Sequence, residues 1–350
     1  MELALYHPEL GYYAAEAQRS GRGGDFFTSV DVGPLFGEMI AAQLDEMWHV
    51  LREAGAERFD LVEAGAGNGR LSRDILDAAA THHRDLYRHV HLTLVERSDS
   101  ARAAATRLHS EATEQGSCNK ELPAPSSVTG VILANELLDA LPVHAVTMTT
   151  AGLREILVDE RDGVLREVEG SVSDPAIAES LARLPVELPT GARAEVGLEA
   201  ERWVARAATS LARGFLLLFD YGHEAEHLLS SAHAGGTLMA YRAHTARAEE
   251  FLRDPGARDL TAHVNLTAIR QAAECAGLTP LGGVDQTYFL TGLGIAERLG
   301  DGQSLSAVAR RLAAKSLLMP GGLGSTMKVV GFGRSVGRPR LRGLSSGRLT

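Results

Sequence analysis

The stretch EAGAGNGRL, Glu63 to Leu71, constrains this chain more than any other. It follows the apolar run FDLV, Phe59 to Val62, and leads into LSRDILDAA, whose apolar spacing is helical. Strand, glycine turn and helix therefore succeed one another within about 20 residues. Gly65, Gly67 and Gly69 let the backbone come close to a ligand and leave the first helix N–H groups aimed at it. A turn of this kind cradles a nucleotide-like molecule.

The spacing argues about which one. A dinucleotide fingerprint needs G-x-G-x-x-G, and after Gly65 and Gly67 its third glycine position holds Arg70, with Gly69 one place early. Glu63, directly before the turn, would repel a pyrophosphate but suits a ligand with an ammonium group. A second apolar run, HLTLVE, ends in Glu96, where an acid can accept both ribose hydroxyls. S-adenosyl-L-methionine has the ribose and the ammonium group and no phosphate. It is the cofactor this pattern predicts.

The remaining chain supplies the frame. Asp31 to Pro34 caps a helix whose Phe36, Met39, Ile40, Leu44 and Met47 share one face. The polar turn before it, with Asp25, Thr28 and Ser29, is placed to fold over the ligand or to cap the helix. VILANELLDALPV reads as a buried strand with Asn135, Glu136 and Asp139 at its carboxyl end, where open α/β sheets bind ligands. EILVDERDGVLREVEG reads as a hairpin. A helix from Glu199 to Ala212 precedes GFLLLFDYG, a second buried strand ending at Asp220 and Tyr221. DLTAHVNLTAIRQAAECAGL reads as a helix entered through polar residues, and strands near 278–284 and 326–332 end the order.

This alternation predicts a class I methyltransferase fold, Rossmann-like. Its mostly parallel seven-stranded sheet carries helices on both faces and a late antiparallel edge. Expected boundaries are a helical N-terminal segment at 1–58 covering the cofactor site and a catalytic domain at 59–333. Insertions are expected at about 151–198 and 223–262, followed by a tail at 334–350.

Composition narrows the class. The longest apolar run, FLLLF, is far short of the roughly 20 residues a spanning helix needs. No secretory signal is recognisable in MELALYHPELGYY, and the two cysteines have neither disulfide nor metal-ligand spacing. A cytoplasmic location is the expectation. The net charge of −10 conceals an asymmetry, since after Asp301 there are nine basic residues and no acid. The tail SVGRPRLRGLSSGRLT is expected to be disordered, and nucleic-acid binding through it is not favoured.

Taken together, LYHPELGYY, GDFFTSVDVGPLFGE, EAGAGNGRL, LANELLDALPVH, FDYG, GTLMAYRAH, DPGARDLTAHVN and QTYFLTGLG resemble the MidA family of S-adenosyl-L-methionine-dependent methyltransferases. The likeness runs from about Glu2 to Gly333. It implies methyl transfer to an arginine of a protein, with a subunit of respiratory complex I as the kind of acceptor that mitochondrial members modify. The family has TSPE where Thr28, Ser29, Val30 and Asp31 stand, commonly has Asp at the place of Asn265, and has a longer N-terminus. A homodimer is compatible with the sequence.

Arginine is a poor nucleophile, because its guanidinium is protonated and delocalised. It also meets a cationic cofactor, and two unit charges 4 Å apart repel by about 4 kcal/mol at an effective dielectric of 20. Carboxylates can offset that, so Glu136 and Asp139 are the candidate catalytic acids, with His263 to orient a carboxylate or take a proton. Glu63, Gly65, Gly67, Gly69, Glu96, Asn135, Thr28 and Ser29 are the candidate cofactor residues. A rival activity lies in HEAEHLLSSAH, which matches H-E-x-x-H with a third His at metzincin spacing. Ser230 replaces the glycine that motif needs, and Glu226 stands at a place normally uncharged. No resident metal is expected. A second rival is an assembly chaperone that binds the cofactor without turning over.

Overall fold

The computed structural model describes residues 1–15, 28–110, 116–242, 245–247, 251–300, 304–319, 322–345, 347 and 349. Asp25 and parts of the tracts GDFFTSVDVGPLFGE and GTLMAYRAH lie outside them. Two compact units divide the chain. One comprises Met1–Ala15, Leu138–Ala205 and Tyr221–Ala272; the other comprises Glu16–Leu137, Arg206–Asp220 and Ala273–Thr350. Within the expected segment at 1–58, the first fifteen residues fall in the unit of the insertions and the helix that follows falls in the other.

In chain order, β1 (Phe59–Ala64), β2 (Val90–Val95), β3 (Gly116–Asn119) and β4 (Val128–Asn135) come first. They are followed by β5 (His144–Thr149), β6 (Gly152–Arg161), β7 (Val164–Gly170) and β8 (Arg193–Val196). The long β9 (Leu211–His223) precedes β10 (Met239–Arg242), β11 (Thr245–Arg247), β12 (Asp259–Thr261) and the short β13 (Val264–Asn265). The antiparallel pair β14 (Thr279–Asp285) and β15 (Met327–Arg334) completes the order.

The central sheet has the order β14-β15-β9-β4-β1-β2-β3. From β9 to β3 each neighbour pair is parallel. That is the predicted mostly parallel sheet with its antiparallel edge. Both faces of a parallel strand are covered, so β1 is buried along its whole length and β4 and β9 are nearly continuous apolar runs. Helix Leu35–Glu53 buries Phe36, Met39, Ile40, Leu44 and Met47, the face read from the sequence. Its Phe36 ring meets Phe219 edge-on at 5.5 Å between centroids, and Phe219 meets Phe289 at 5.1 Å.

The other unit holds the sheet β7-β6-β5-β8, in which the expected hairpin β6–β7 is two of four antiparallel strands. Its core gathers Val146, Ile177, Leu188, Val196, Leu198 and Leu229. A three-stranded sheet, β11-β10-β12, lies within the second insertion. Residues 259–265 differ from the expected helix entry. Asp259–Thr261 pairs with β10, and Val264 and Asn265 pair with Gly222 and His223, so the helix starts only at Leu266.

The tail also departs from expectation. Arg342–Ser345 is helical, with Leu341 and Leu344 buried. Gly343 donates its N–H to Gln43 Oε1 at 3.1 Å, and Arg342 pairs with Glu46. Leu341, Leu344 and the contacts to Gln43 and Glu46 seat this stretch on helix Leu35–Glu53, although its composition alone reads as unfolded.

Candidate active site

β1 feeds the glycine turn as the sequence requires. Gly65, Gly67 and Gly69 have φ of +69°, +53° and +79°, the left-handed region that favours glycine. Val95 O accepts N–H bonds from Gly65 and Ala66 at 2.9 and 3.2 Å, which ties the turn to the end of β2. A Cβ on Gly69 would stand 2.9 Å from His109 Nε2, and one on Gly65 would press Leu137 at 3.0 Å. On Gly67 it would meet no described protein atom within 4 Å. The turn is thus walled on two sides and open at Gly67.

The acids around it are already oriented. Glu96 accepts the Gly67 N–H at 2.8 Å through Oε2 and the Ser98 N–H at 2.8 Å through Oε1. Burial raises its pKa against those bonds. A carboxylate has about four acceptor positions, so capacity for ribose hydroxyls remains. Glu63 is 4% exposed and turns Oε2 to the N–H of Ser72, at 3.1 Å, and to its hydroxyl. Burial pushes its pKa up to about 7. This acid anchors the first turn of helix Arg70–His82, a duty the sequence reading did not foresee. The carbonyl of Gly69 accepts a bond from His109 Nε2 at 2.8 Å. Nothing near His109 in sequence announces that role.

At the end of β4, Asn135 donates Nδ2–H to Glu136 Oε1 at 3.3 Å, while its own Oδ1 is buried and has no hydrogen-bond partner among the described residues. An orphaned buried acceptor beside an open glycine turn fits a ligand donor. Glu136 has φ +51°, which costs a non-glycine residue about 1–2 kcal/mol. Its N–H donates to Phe219 O at 2.8 Å, and Oε1 also accepts from Ser29 N–H at 3.4 Å. Burial and the neighbouring Asp220 raise its pKa to about 8, so it is mostly protonated at pH 7. Asp220, at the end of β9, holds the Leu137 N–H at 3.1 Å.

Thr28 and Ser29 serve the frame. Asp31 Oδ2 accepts both the N–H and the hydroxyl of Thr28 at 3.0 Å, and Arg70 bonds Oδ1 at 3.3 Å. The hydroxyl of Ser29, fully buried, donates to Gln286 Oε1 at 3.0 Å. Thr28 thus caps the short helical turn Ser29–Val32, and the Ser29 N–H reaches Glu136 Oε1. One unit brings Thr28, Ser29, Glu63, Gly65, Gly67, Gly69, Glu96, Asn135 and Glu136 together.

Asp139 and His263 belong to the other unit. Asp139 is 7% exposed, and its carbonyl accepts the Ala262 N–H at 3.0 Å. His263 donates its N–H to Thr237 Oγ1 at 3.1 Å and lies beside His223 and His233. The protease reading fails on local structure. His223 ends β9, the helix after it is a single turn, Ala225–Leu228, and Glu224 accepts from Thr267 Oγ1 at 2.6 Å and from Arg270. The two histidines of H-E-x-x-H share no helix, and its base is spent on other partners.

Comparison with known proteins agrees with this geometry. Residues 39–284 match the model of a family of S-adenosyl-L-methionine-dependent methyltransferases. The mitochondrial protein arginine methyltransferase NDUFAF7 homolog of Drosophila melanogaster is 30% identical over 318 residues, 83% of this chain and 69% of that protein. NDUFAF7 of Danio rerio is 29% identical over 326 residues, covering 85% and 73%. A Burkholderia thailandensis protein crystallised with S-adenosyl-homocysteine superposes with TM-score 0.88 at 29% identity, covering 99% of this chain and 89% of that one. These relatives also correct the expected cytoplasmic location, for the curated ones are named mitochondrial. Among the described residues no helix is long and apolar enough to cross a membrane.

Proposed function

Because this chain belongs to the MidA family of S-adenosyl-L-methionine-dependent methyltransferases, we propose that it transfers the cofactor's methyl group to a guanidinium nitrogen of an arginine in a protein. The observation that carries the reading is Glu136, an acid in a left-handed backbone conformation whose proton is held up to about pH 8 by burial and by Asp220. A cation arriving beside it displaces that proton. The ionised carboxylate can then accept guanidinium N–H groups, fix the reacting nitrogen and take the proton it sheds when a methyl is added.

When bound, S-adenosyl-L-methionine supplies a methyl group activated by a sulfonium charge. The residues suited to hold it are the turn Gly65 to Gly69, Glu96 for the ribose and Asn135 through its unpartnered Oδ1. Glu63, Ser29 and Thr28 set the backbone that presents them. The names of the relatives support arginine as the acceptor. A subunit of respiratory complex I is the first acceptor to try.

The test is to incubate the protein with methyl-labelled cofactor and cell extract, hydrolyse the labelled protein and separate its amino acids. Label in methylarginine is expected. Label in another residue or only in small molecules overturns the arginine reading, and cofactor binding without any transfer favours the chaperone.

A further inference from the structure

The histidines left over from the rejected protease motif converge. His223 comes from the end of β9, His233 from the 3-10 turn Ser231–His233, and His263 from the link between β12 and β13. One ring nitrogen of each lies within 4.8 Å of the others. Ring centroids are 5.5 Å apart for His223 and His233, 5.4 Å for His223 and His263, and 6.0 Å for His233 and His263. All three are half-buried and all belong to one unit.

We propose that His223, His233 and His263 form a binding site for one divalent transition-metal ion, zinc before others. Imidazole suits zinc, copper and nickel, and a set of three leaves a fourth position for water. With metal–nitrogen bonds of about 2.0–2.1 Å, tetrahedral ligand atoms stand about 3.4 Å apart, so small ring rotations bring these three within bonding range.

The surroundings support ligation. His233 Nδ1 is 3.1 Å from the carbonyl of His227, which can only accept, so Nδ1 carries the proton and Nε2 keeps its lone pair. Outer-shell bonds of this kind fix the tautomer of metal-binding histidines. The backbone of His263 is held by Thr237, whose hydroxyl donates to Glu195 Oε2 at 2.9 Å. Of the nearby acids, Glu224 is engaged by Thr267 and Arg270, while Glu195 gives Oε2 to Thr237 and sets Oε1 3.5 Å from Arg193 Nε. The donor set is therefore all nitrogen. The ion joins three stretches separated in sequence and acts as a clasp for the second insertion, in place of the metal-free chain expected from the sequence.

Tag-free full-length protein, stripped with chelator, is titrated with zinc alone by calorimetry. One tight equivalent is expected. His223→Ala and His233→Ala should each weaken it at least about 100-fold, beyond the 10–100-fold that loss of an outer-shell partner costs. His91→Ala, far from the cluster in sequence and on β2, should bind as wild type does. S-adenosyl-L-methionine binding by the same variants reports folding and is independent of the metal. Cobalt(II) loading of the wild type adds a reading without mutation, since a four-coordinate site gives intense visible bands. No tight equivalent, a pale six-coordinate cobalt spectrum, or unchanged affinity in folded His223→Ala and His233→Ala overturns the proposal.

Discussion

The raised pKa of Glu136 makes a quantitative claim about rate. At pH 7, one unit below a pKa of about 8, about one molecule in eleven has the ionised carboxylate in the free enzyme. If arginine must meet that carboxylate, kcat/KM carries a penalty of about 1.4 kcal/mol at pH 7, which disappears above pH 8. The initial rate of labelled methyl transfer at low acceptor concentration should rise about tenfold from pH 7 to a plateau near pH 9. Glu136→Gln should lose at least about 100-fold in rate and the inflection with it, while still binding the cofactor. Glu63, with a pKa of about 7, titrates lower and survives in that variant, so the two inflections separate. A wild-type profile flat across this range, or an inflection near pH 8 that persists in Glu136→Gln, would refute the reasoning.

Other outcomes follow from the same contacts. An acid whose folded pKa is raised stabilises the fold at low pH and stops doing so as pH rises through that pKa. The wild-type melting temperature should therefore fall from about pH 5 to about pH 8 and level off above it, and Glu136→Gln should flatten the decline. Lys328 and Asp285 form a buried pair at 2.7 Å, 1% and 3% exposed, so Lys328→Met should cost about 3–5 kcal/mol in denaturant unfolding. Losing its bond to Gly69 O, His109→Ala should cost about 1–3 kcal/mol and weaken cofactor binding, read by melting and by titration.

Much of the site was legible because its elements rest on local rules. Glycines at left-handed φ, an apolar run before them and a helical pattern after them specify strand, turn and helix whatever lies elsewhere. The acids at the ends of β2 and β4 follow from the sheet direction. What escaped was contact across the chain. Glu63 looked outward in sequence, yet Ser72, nine residues on, takes its carboxylate. Ser29 is held by Gln286 and Glu136, 257 and 107 residues away, which no local pattern announces. The histidines showed motif spacing that promised a helix, and β9 runs through His223 to deny it. The basic tail carried its ordering signal in Leu341 and Leu344, which weigh little beside its arginines.

The most direct measurement of the central claim is calorimetric titration with S-adenosyl-L-methionine of wild type, Gly67→Val and Glu136→Gln. A side chain at Gly67 would meet no described protein atom but is strained at φ +53° by about 1–2 kcal/mol, so Gly67→Val should melt lower yet still fold, and should fill the open side of the turn, weakening binding by about 100-fold or more, about 3 kcal/mol. Wild type and Glu136→Gln should bind alike, and only wild type should transfer the methyl group. Absence of binding by folded wild type, or equal binding by Gly67→Val, would contradict the account.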